Sequence, residues 1–332
     1  YLLENKDKIK GILITHGHED HTGALPYVLS QINVPVYAPG LACGLIGVKL
    51  KEHALDKVVK LHPVLPRELI TLGAFRVEFY RVCHSIPDAM GLAINTPIGL
   101  VVHTGDFKID HTPIDGKRTD LARLAEYGSD GVILLLSDST YAELEGYTPS
   151  EKVVGFALDS AIRDAPGRVL VTTFASLISR IQQVLDAAVK YDRKVGIVGR
   201  SMVGNVDIAT EMGYLSVKKG VILPLEEVLK LPHHETVLLT TGSQGEPTSA
   251  LVRMAGGYHR QVHISSEDTI IISATPIPGN EKLVSRSINN LMRQGARVLY
   301  DKVSLVHVHG HASREELKIV INLTKPRYMV PV

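Results

Sequence analysis

Six consecutive residues near the start of the chain, His16-Gly17-His18-Glu19-Asp20-His21, put three imidazoles and the Asp20 carboxylate into one turn directly behind the apolar run 9–15. Residues two apart on an extended segment face the same way, so His16 and His18 can grip one metal ion together. Asp20 and His21 follow where the chain is expected to bend into a helix at about 23–30, within reach of a second ion. Gly17 lets the backbone approach closely because it carries no side chain.

Two more ligand types stand just past expected strands. His84 follows the run 75–82 in Cys83-His84-Ser85-Ile86-Pro87-Asp88, and Asp106 follows 99–103 in His103-Thr104-Gly105-Asp106-Phe107. Ends of strands are where α/β folds place binding residues. Either residue alone reads as a solvated loop side chain; beside the upstream turn, each reads as a ligand. One arrangement satisfies the valences: His16, His18 and His84 on one ion, Asp20 and His21 on the other, and Asp106 bridging. Imidazole and carboxylate ligands suit zinc, with manganese as the alternative. Two ions about 3.5–4 Å apart activate a shared water near neutral pH, so hydrolysis is the expected reaction.

The elements that must position these groups alternate along the chain. Strands are expected at 9–15, 34–38, 75–82, 91–95, 99–103 and 131–137, with a helix at about 41–51. From about residue 148 a second α/β unit with a parallel sheet is expected. It opens on a helix at 150–163 capped by Ser150 or Thr148 and continues with strands at 168–173, 194–198, 237–241, 269–273 and 297–301. Helices are expected at 177–191 and 281–294. A last helix, 313–323, carries Ser313 and Glu316 in capping-box spacing.

With 332 residues, 45% hydrophobic and 21% charged, the chain has the composition of a globular protein with room for two domains. A net charge of +1 excludes a uniformly polycationic surface, so a nucleic acid would have to be held by a local basic groove. Arg180, Arg200, Arg253 and Arg286 are candidates to line one. Cys43 and Cys83, the only cysteines, lack metal-pair spacing and suit buried packing in a reducing compartment. The longest aliphatic stretch, 132–136, is far below the roughly 20 residues of a membrane helix. No signal peptide is visible, and a cytoplasmic location without a membrane partner is expected.

These motifs resemble the metallo-β-lactamase superfamily, whose signature is this His-x-His-x-Asp-His turn with a separate His and Asp. Ser137-Asp138-Ser139-Thr140, residues 241–247, residues 273–281 and His309-Gly310-His311-Ala312-Ser313 resemble its nucleic-acid-processing β-CASP branch, and within it the ribonuclease J family. The resemblance implies an αββα sandwich with an inserted α/β β-CASP domain: 1–147 and 299–332 in the first, 148–298 in the second.

It further implies a zinc-dependent ribonuclease with 5′ to 3′ exonuclease and endonuclease activities in RNA maturation and decay. The partner implied is single-stranded RNA in a channel, with a 5′-monophosphate pocket. Homo-oligomers and an RNA-degradation complex are implied for the full-length protein. Asp20, Asp138 and His311 take the catalytic positions; Asp138 would orient Asp20 or a histidine ligand, and His311 would stabilise a phosphoryl oxygen or protonate the leaving one. Ser243, Gly310 and Ser313 are the phosphate candidates, since their loops offer N–H groups and hydroxyls; the same residue types also serve as plain helix caps.

Family members begin with further strands and continue past the Pro-Val pair with a histidine for the second metal. The chain therefore reads as a fragment with a weakened second site, and His309 stands where relatives carry a small residue. Two other readings are a small-molecule hydrolase of the glyoxalase II type and a catalytically silent RNA-binding β-CASP subunit.

Overall fold

A computed structural model describes all 332 residues, which divide into two compact units: 1–148 with 310–332, and 149–309. In the first unit, in chain order, come β1 (Ile12–Leu13), α1 (Glu19–Thr22), α2 (Leu25–Leu29), β2 (Val36–Pro39), α3 (Gly40–Glu52), β3 (Leu61–Val64), β4 (Leu69–Leu72), β5 (Phe75–Arg81), β6 (Met90–Thr96), β7 (Gly99–His103), α4 (Leu121–Asp130) and β8 (Val132–Ser137).

The second unit holds α5 (Glu151–Arg163), β9 (Val169–Thr172), α6 (Ile178–Lys190), β10 (Lys194–Val198), α7 (Arg200–Glu211), α8 (Leu225–Val228), β11 (Thr236–Thr240), α9 (Ala250–Ala255), β12 (Thr269–Ile272), α10 (Glu281–Arg293) and β13 (Arg297–Leu299). The chain then returns to the first unit with α11 (Arg314–Thr324) and β14 (Tyr328–Pro331).

Side-chain alternation builds the first unit in four layers. Its six-stranded sheet runs β14-β8-β7-β6-β5-β4, and its smaller sheet runs β1-β2-β3. On β5, Val77 and Phe79 join Met90, Leu92 and Val64 in a cluster that also takes in Leu13 and Tyr37 of the small sheet. Tyr80 points the other way, to Leu124 and Tyr127 of α4 and Leu317 and Val320 of α11. The period of two along a strand thus separates a sheet-to-sheet core from a sheet-to-helix core. Leu25, Leu29, Ala42 and Ile46 of α2 and α3 cover the outer face of the small sheet against Val36 and Ala38. The order helix, sheet, sheet, helix is the expected sandwich.

The second unit is a five-stranded sheet, β10-β11-β9-β12-β13, with every pair parallel. Strands β9, β11 and β12 are buried along their whole length, as parallel strands covered on both faces must be. Leu170, Leu238, Ile270 and Ile272 pack under Leu251 and Met254 of α9 and Leu291 of α10. Helix α5 opens on Ser150, whose hydroxyl accepts from the amide of Lys152.

Several expected boundaries move. Of the run 9–15 only Ile12 and Leu13 pair as a strand. Residues 23–30 form helix only from Leu25, after a separate turn at Glu19–Thr22. The second compact unit ends at residue 309, past β13, an edge strand of the parallel sheet; Arg180 and Ser273 bind the carbonyl of Val306 there.

Candidate metal centre

Past β1 the chain is anchored by the amide of Met90, which donates to the carbonyl of Thr15 at 2.9 Å. His16 is buried, and His18 caps the N-terminus of α1 with extended backbone. Thr22 Oγ1 closes that turn on the carbonyl of His18 at 2.8 Å. Glu19 faces outward onto Lys49, while His21 turns toward Asp106. A Cβ on Gly17 would stand 2.9 Å from Leu45 Cδ1 and 3.2 Å from Ala42 Cα, so glycine is what permits α3 to lie this close.

Three ring nitrogens converge. His16 Nε2 lies 3.1 Å and His84 Nε2 3.2 Å from His18 Nδ1. Asp106 Oδ2 is 3.6 Å from His16 Nε2, 3.8 Å from His84 Nε2 and 3.3 Å from His21 Nε2. All the ligand atoms of His16, His18, His84 and Asp106 fall within 4.8 Å of one another. Asp20 Oδ2 stands 3.5 Å from His21 Nε2 with its side chain mostly exposed, so this pair forms the rim.

The donor chemistry fits a divalent cation. His84 Nδ1–H donates to the carbonyl of Gly310 at 2.7 Å, which leaves Nε2 as a bare lone pair facing the cluster. Burial, and then the neighbouring imidazoles, lower the pKa of His16 and His84. Burial is also the main cause that holds His18 down to about 4. Neutral imidazoles aimed at a common point are metal ligands in waiting. His21 goes the other way: its hydrogen bond to Asp106 outweighs burial and raises it. A cation between His21 and Asp106 would take the place of that proton.

Asp106 is reached through a tight turn at Gly105, whose φ of +60° and proximity to Met90 O suit only glycine. Asp138, just past β8, takes its amide hydrogen bond to Thr104 Oγ1 and accepts from Thr140 on Oδ1. Its Oδ2 receives His311 Nδ1–H at 2.8 Å. The structure thus sets the Asp138 carboxylate against His311. Burial opposes charge on both partners, yet their contact wins, lowering Asp138 and raising His311. Asp106, Asp138 and His311 again gather within 4.8 Å.

Of the phosphate candidates, Gly310 and Ser313 lie in this unit and Ser243 in the other. A Cβ on Gly310 would sit 2.7 Å from His84 Nδ1, so glycine admits the imidazole here. Ser313 is occupied as the N-cap of α11 and contacts Thr148 Oγ1 at 2.9 Å, which is the helix-cap alternative. Ser243 is buried in a loop that Gln244 ties to 275–277, donating to Thr275 O and accepting from the amide of Ile277. Arg180 does not line a groove: it is fully buried against Glu151. Sequence reasoning missed Ser85, whose hydroxyl lies 3.3–3.4 Å from His84 and His18 nitrogens, although it stands inside the quoted motif.

Two packed sheets flanked by helices, with a buried His/Asp cluster at their strand ends, define the class, and residues 1–195 match the family model of the metallo-beta-lactamase superfamily. The chain belongs to that superfamily. Residues 166–291 match the model described as "Ribonuclease J, beta-CASP domain". Ribonuclease J of Synechocystis is 49% identical over the whole of this chain and 52% of its own length; ribonuclease J of Thermus thermophilus is 51% identical, with 59% of its length covered. The chain thus spans about half to three-fifths of these curated relatives. A crystal structure of a protein of unknown function from Enterococcus faecalis shares the fold, with a TM-score of 0.70 over 97% of this chain and 75% of that one at 14% identity.

Proposed function

We propose that the chain forms the catalytic part of a zinc-dependent ribonuclease that hydrolyses RNA phosphodiester bonds, as a 5′ to 3′ exonuclease and an endonuclease. The observation that carries this reading is the gathering of His16, His18, His84 and Asp106 beside the Asp106–Asp138–His311 group, each within 4.8 Å. The relatives' names, ribonuclease J, supply the substrate class.

His16, His18 and His84 would hold one ion, Asp20 and His21 a second, with Asp106 shared; zinc suits the donors and manganese is the alternative. A bound ion lowers the pKa of water toward neutrality and polarises a phosphoryl oxygen. The chain's own groups do the rest. Asp138 keeps a proton on His311 Nδ1 and so fixes the ring, leaving Nε2 to face the reacting phosphate. A protonated His311 donates there to a phosphoryl oxygen or to the leaving oxygen. Its raised pKa, caused by Asp138 against the cost of burial, favours that protonated form.

Recognition of a 5′-monophosphate is assigned to Ser243 in the second unit and to the turn of Gly310 and Ser313 in the first, each to be tested by its own substitution. The β-CASP domain is taken as 148–298, with 1–147 and 299–332 as the metallo-β-lactamase domain. Roles in RNA maturation and decay, a cytoplasmic location, homo-oligomerisation and membership of an RNA-degradation complex belong to the same reading.

The test incubates the full-length protein with 5′-monophosphorylated and 5′-triphosphorylated RNA, with and without chelator. Chelator-sensitive release of mononucleotides, faster from the monophosphate, is expected. Binding without cleavage would instead identify a silent RNA-binding subunit, and thioester turnover alone a hydrolase of the glyoxalase II type.

A further inference from the structure

We infer that Glu316 is a positioning residue of this centre: its buried carboxylate clamps the loop after Asp106 to the turn after His311 and so sets the spacing of the catalytic groups. Glu316 is fully buried at the start of α11. Its Oε1 accepts from the amide of Ile109 at 2.7 Å. Its Oε2 accepts from the amides of Thr148 at 2.7 Å and Ser313 at 2.8 Å.

A capping box explains only the contact with Ser313. The contacts with Ile109 and Thr148 cap nothing. Ile109 lies three residues after Asp106, and Ser313 two after His311. Thr148 in turn donates its hydroxyl to the carbonyl of His311 at 2.8 Å. Two further bonds complete the frame: Lys108 N donates to Cys83 O at 2.7 Å, and His84 Nδ1 to Gly310 O at 2.7 Å. Three loops carrying His84, Asp106 and His311 are thereby tied in a ring, and the Glu316 carboxylate reaches two of them at once. Charge-assisted bonds from three amides to one buried carboxylate give that clamp its stiffness. Removing one acceptor there leaves an amide buried without a partner.

The inference rests on the ribonuclease reading for its kinetic arm only. Glu316→Gln keeps the shape but replaces one acceptor oxygen by a donor, so either Ile109 or the pair Thr148 and Ser313 loses its bond. In the full-length protein, hydrogen exchange at those amides is expected to quicken and the proton resonance of His311 Nδ1–H to shift. Cleavage of 5′-monophosphorylated RNA should lose at least about tenfold in kcat, as for groups that orient ligands, with KM within about twofold. In a His311→Ala background the same change should cost clearly less, because part of the clamp's effect runs through His311 and the rest through Asp106.

Wild-type kcat despite quickened exchange would overturn the inference, and so would an equal loss in both backgrounds. Should E316Q fail to fold, Glu316→Asp keeps the charge but shortens its reach to the amides of Ile109 and Thr148, and carries the same expected and overturning results. If the wild-type protein cleaves no RNA, the ribonuclease reading falls by itself; the His311 resonance still decides the clamp, and its staying unmoved in E316Q would sink it.

Discussion

His311 Nδ1 donates to Asp138 Oδ2 across 2.8 Å, between residues 173 positions apart in the chain. The bond fixes the ring's tautomer and leaves its other nitrogen for chemistry. Asp138→Asn presents an amide of the same shape whose NH2 group can face Nδ1 and invert that choice. Cleavage is expected to fall by about 10–100-fold, the scale of losing an orienting partner, with RNA affinity unchanged. Single-turnover kinetics with a parallel binding titration check this; equal losses in kcat and affinity would show that Asp138 serves the fold alone.

Removing a ligand should separate binding from cleavage. His84 is buried with Nδ1 committed to Gly310 O, so its Nε2 is the nitrogen that faces the cluster. His84→Ala and Asp20→Ala are expected to drop cleavage by more than about 10³-fold, as befits loss of the water-activating centre, while RNA still binds. Metal content measured by plasma mass spectrometry should fall in the His84 variant. In the wild type, chelator should abolish cleavage and added zinc or manganese restore it. Undiminished cleavage by H84A would remove the metal assignment.

What could be read from sequence was what lies close together in it. The turn from His16 to His21 declares itself because six contiguous residues carry the chemistry, and the structure places His84 3.2 Å from His18 and Asp106 3.6 Å from His16. Asp138 and His311 stood out as residues, but their pairing did not, since nothing local joins a strand end to a turn 173 residues later in the chain. Arg180 shows the same limit. It sits on α6 among Ile178, Ile181 and Val184, where an arginine looks like a surface charge until Glu151 on α5 is seen to meet it. Strands β3 and β14 escaped notice because each contains a proline, Pro63 and Pro331, and much of each is exposed.

That Arg180–Glu151 pair yields a stability prediction. Both side chains are buried, and Arg180 also donates to Ser273 Oγ and to Val306 O. Breaking a buried pair leaves one charge without compensation, so Glu151→Gln should destabilise the protein by about 3–5 kcal/mol. Replacing both partners by apolar residues of similar volume should recover most of the loss. Denaturant unfolding checks both. A loss of under about 1 kcal/mol for E151Q would mean the pair is solvated and behaves like a surface bridge.

His259 gives the second unit a pH-dependent term distinct from the metal cluster. Burial, then the nearby Arg253 and His263, hold its pKa below the ordinary value. The neutral ring is the native form, because Nδ1 accepts from the amide of Val262 at 3.2 Å and of Gln261 at 3.4 Å. An unfolded histidine takes its proton near pH 6.5 while the native one resists, so between those two values the unfolded chain binds more protons and stability falls as pH falls. The contribution is whole above about pH 6.5 and is lost progressively below it. His259→Asn keeps an acceptor for the amides and removes the titration. The stability difference between wild type and H259N should therefore shift in favour of H259N from about pH 7.5 to about pH 5, with the metal-site histidines cancelling because both proteins share them. A difference that stays constant across that range would show that His259 is protonated as readily folded as unfolded, and that its two amide contacts carry no weight.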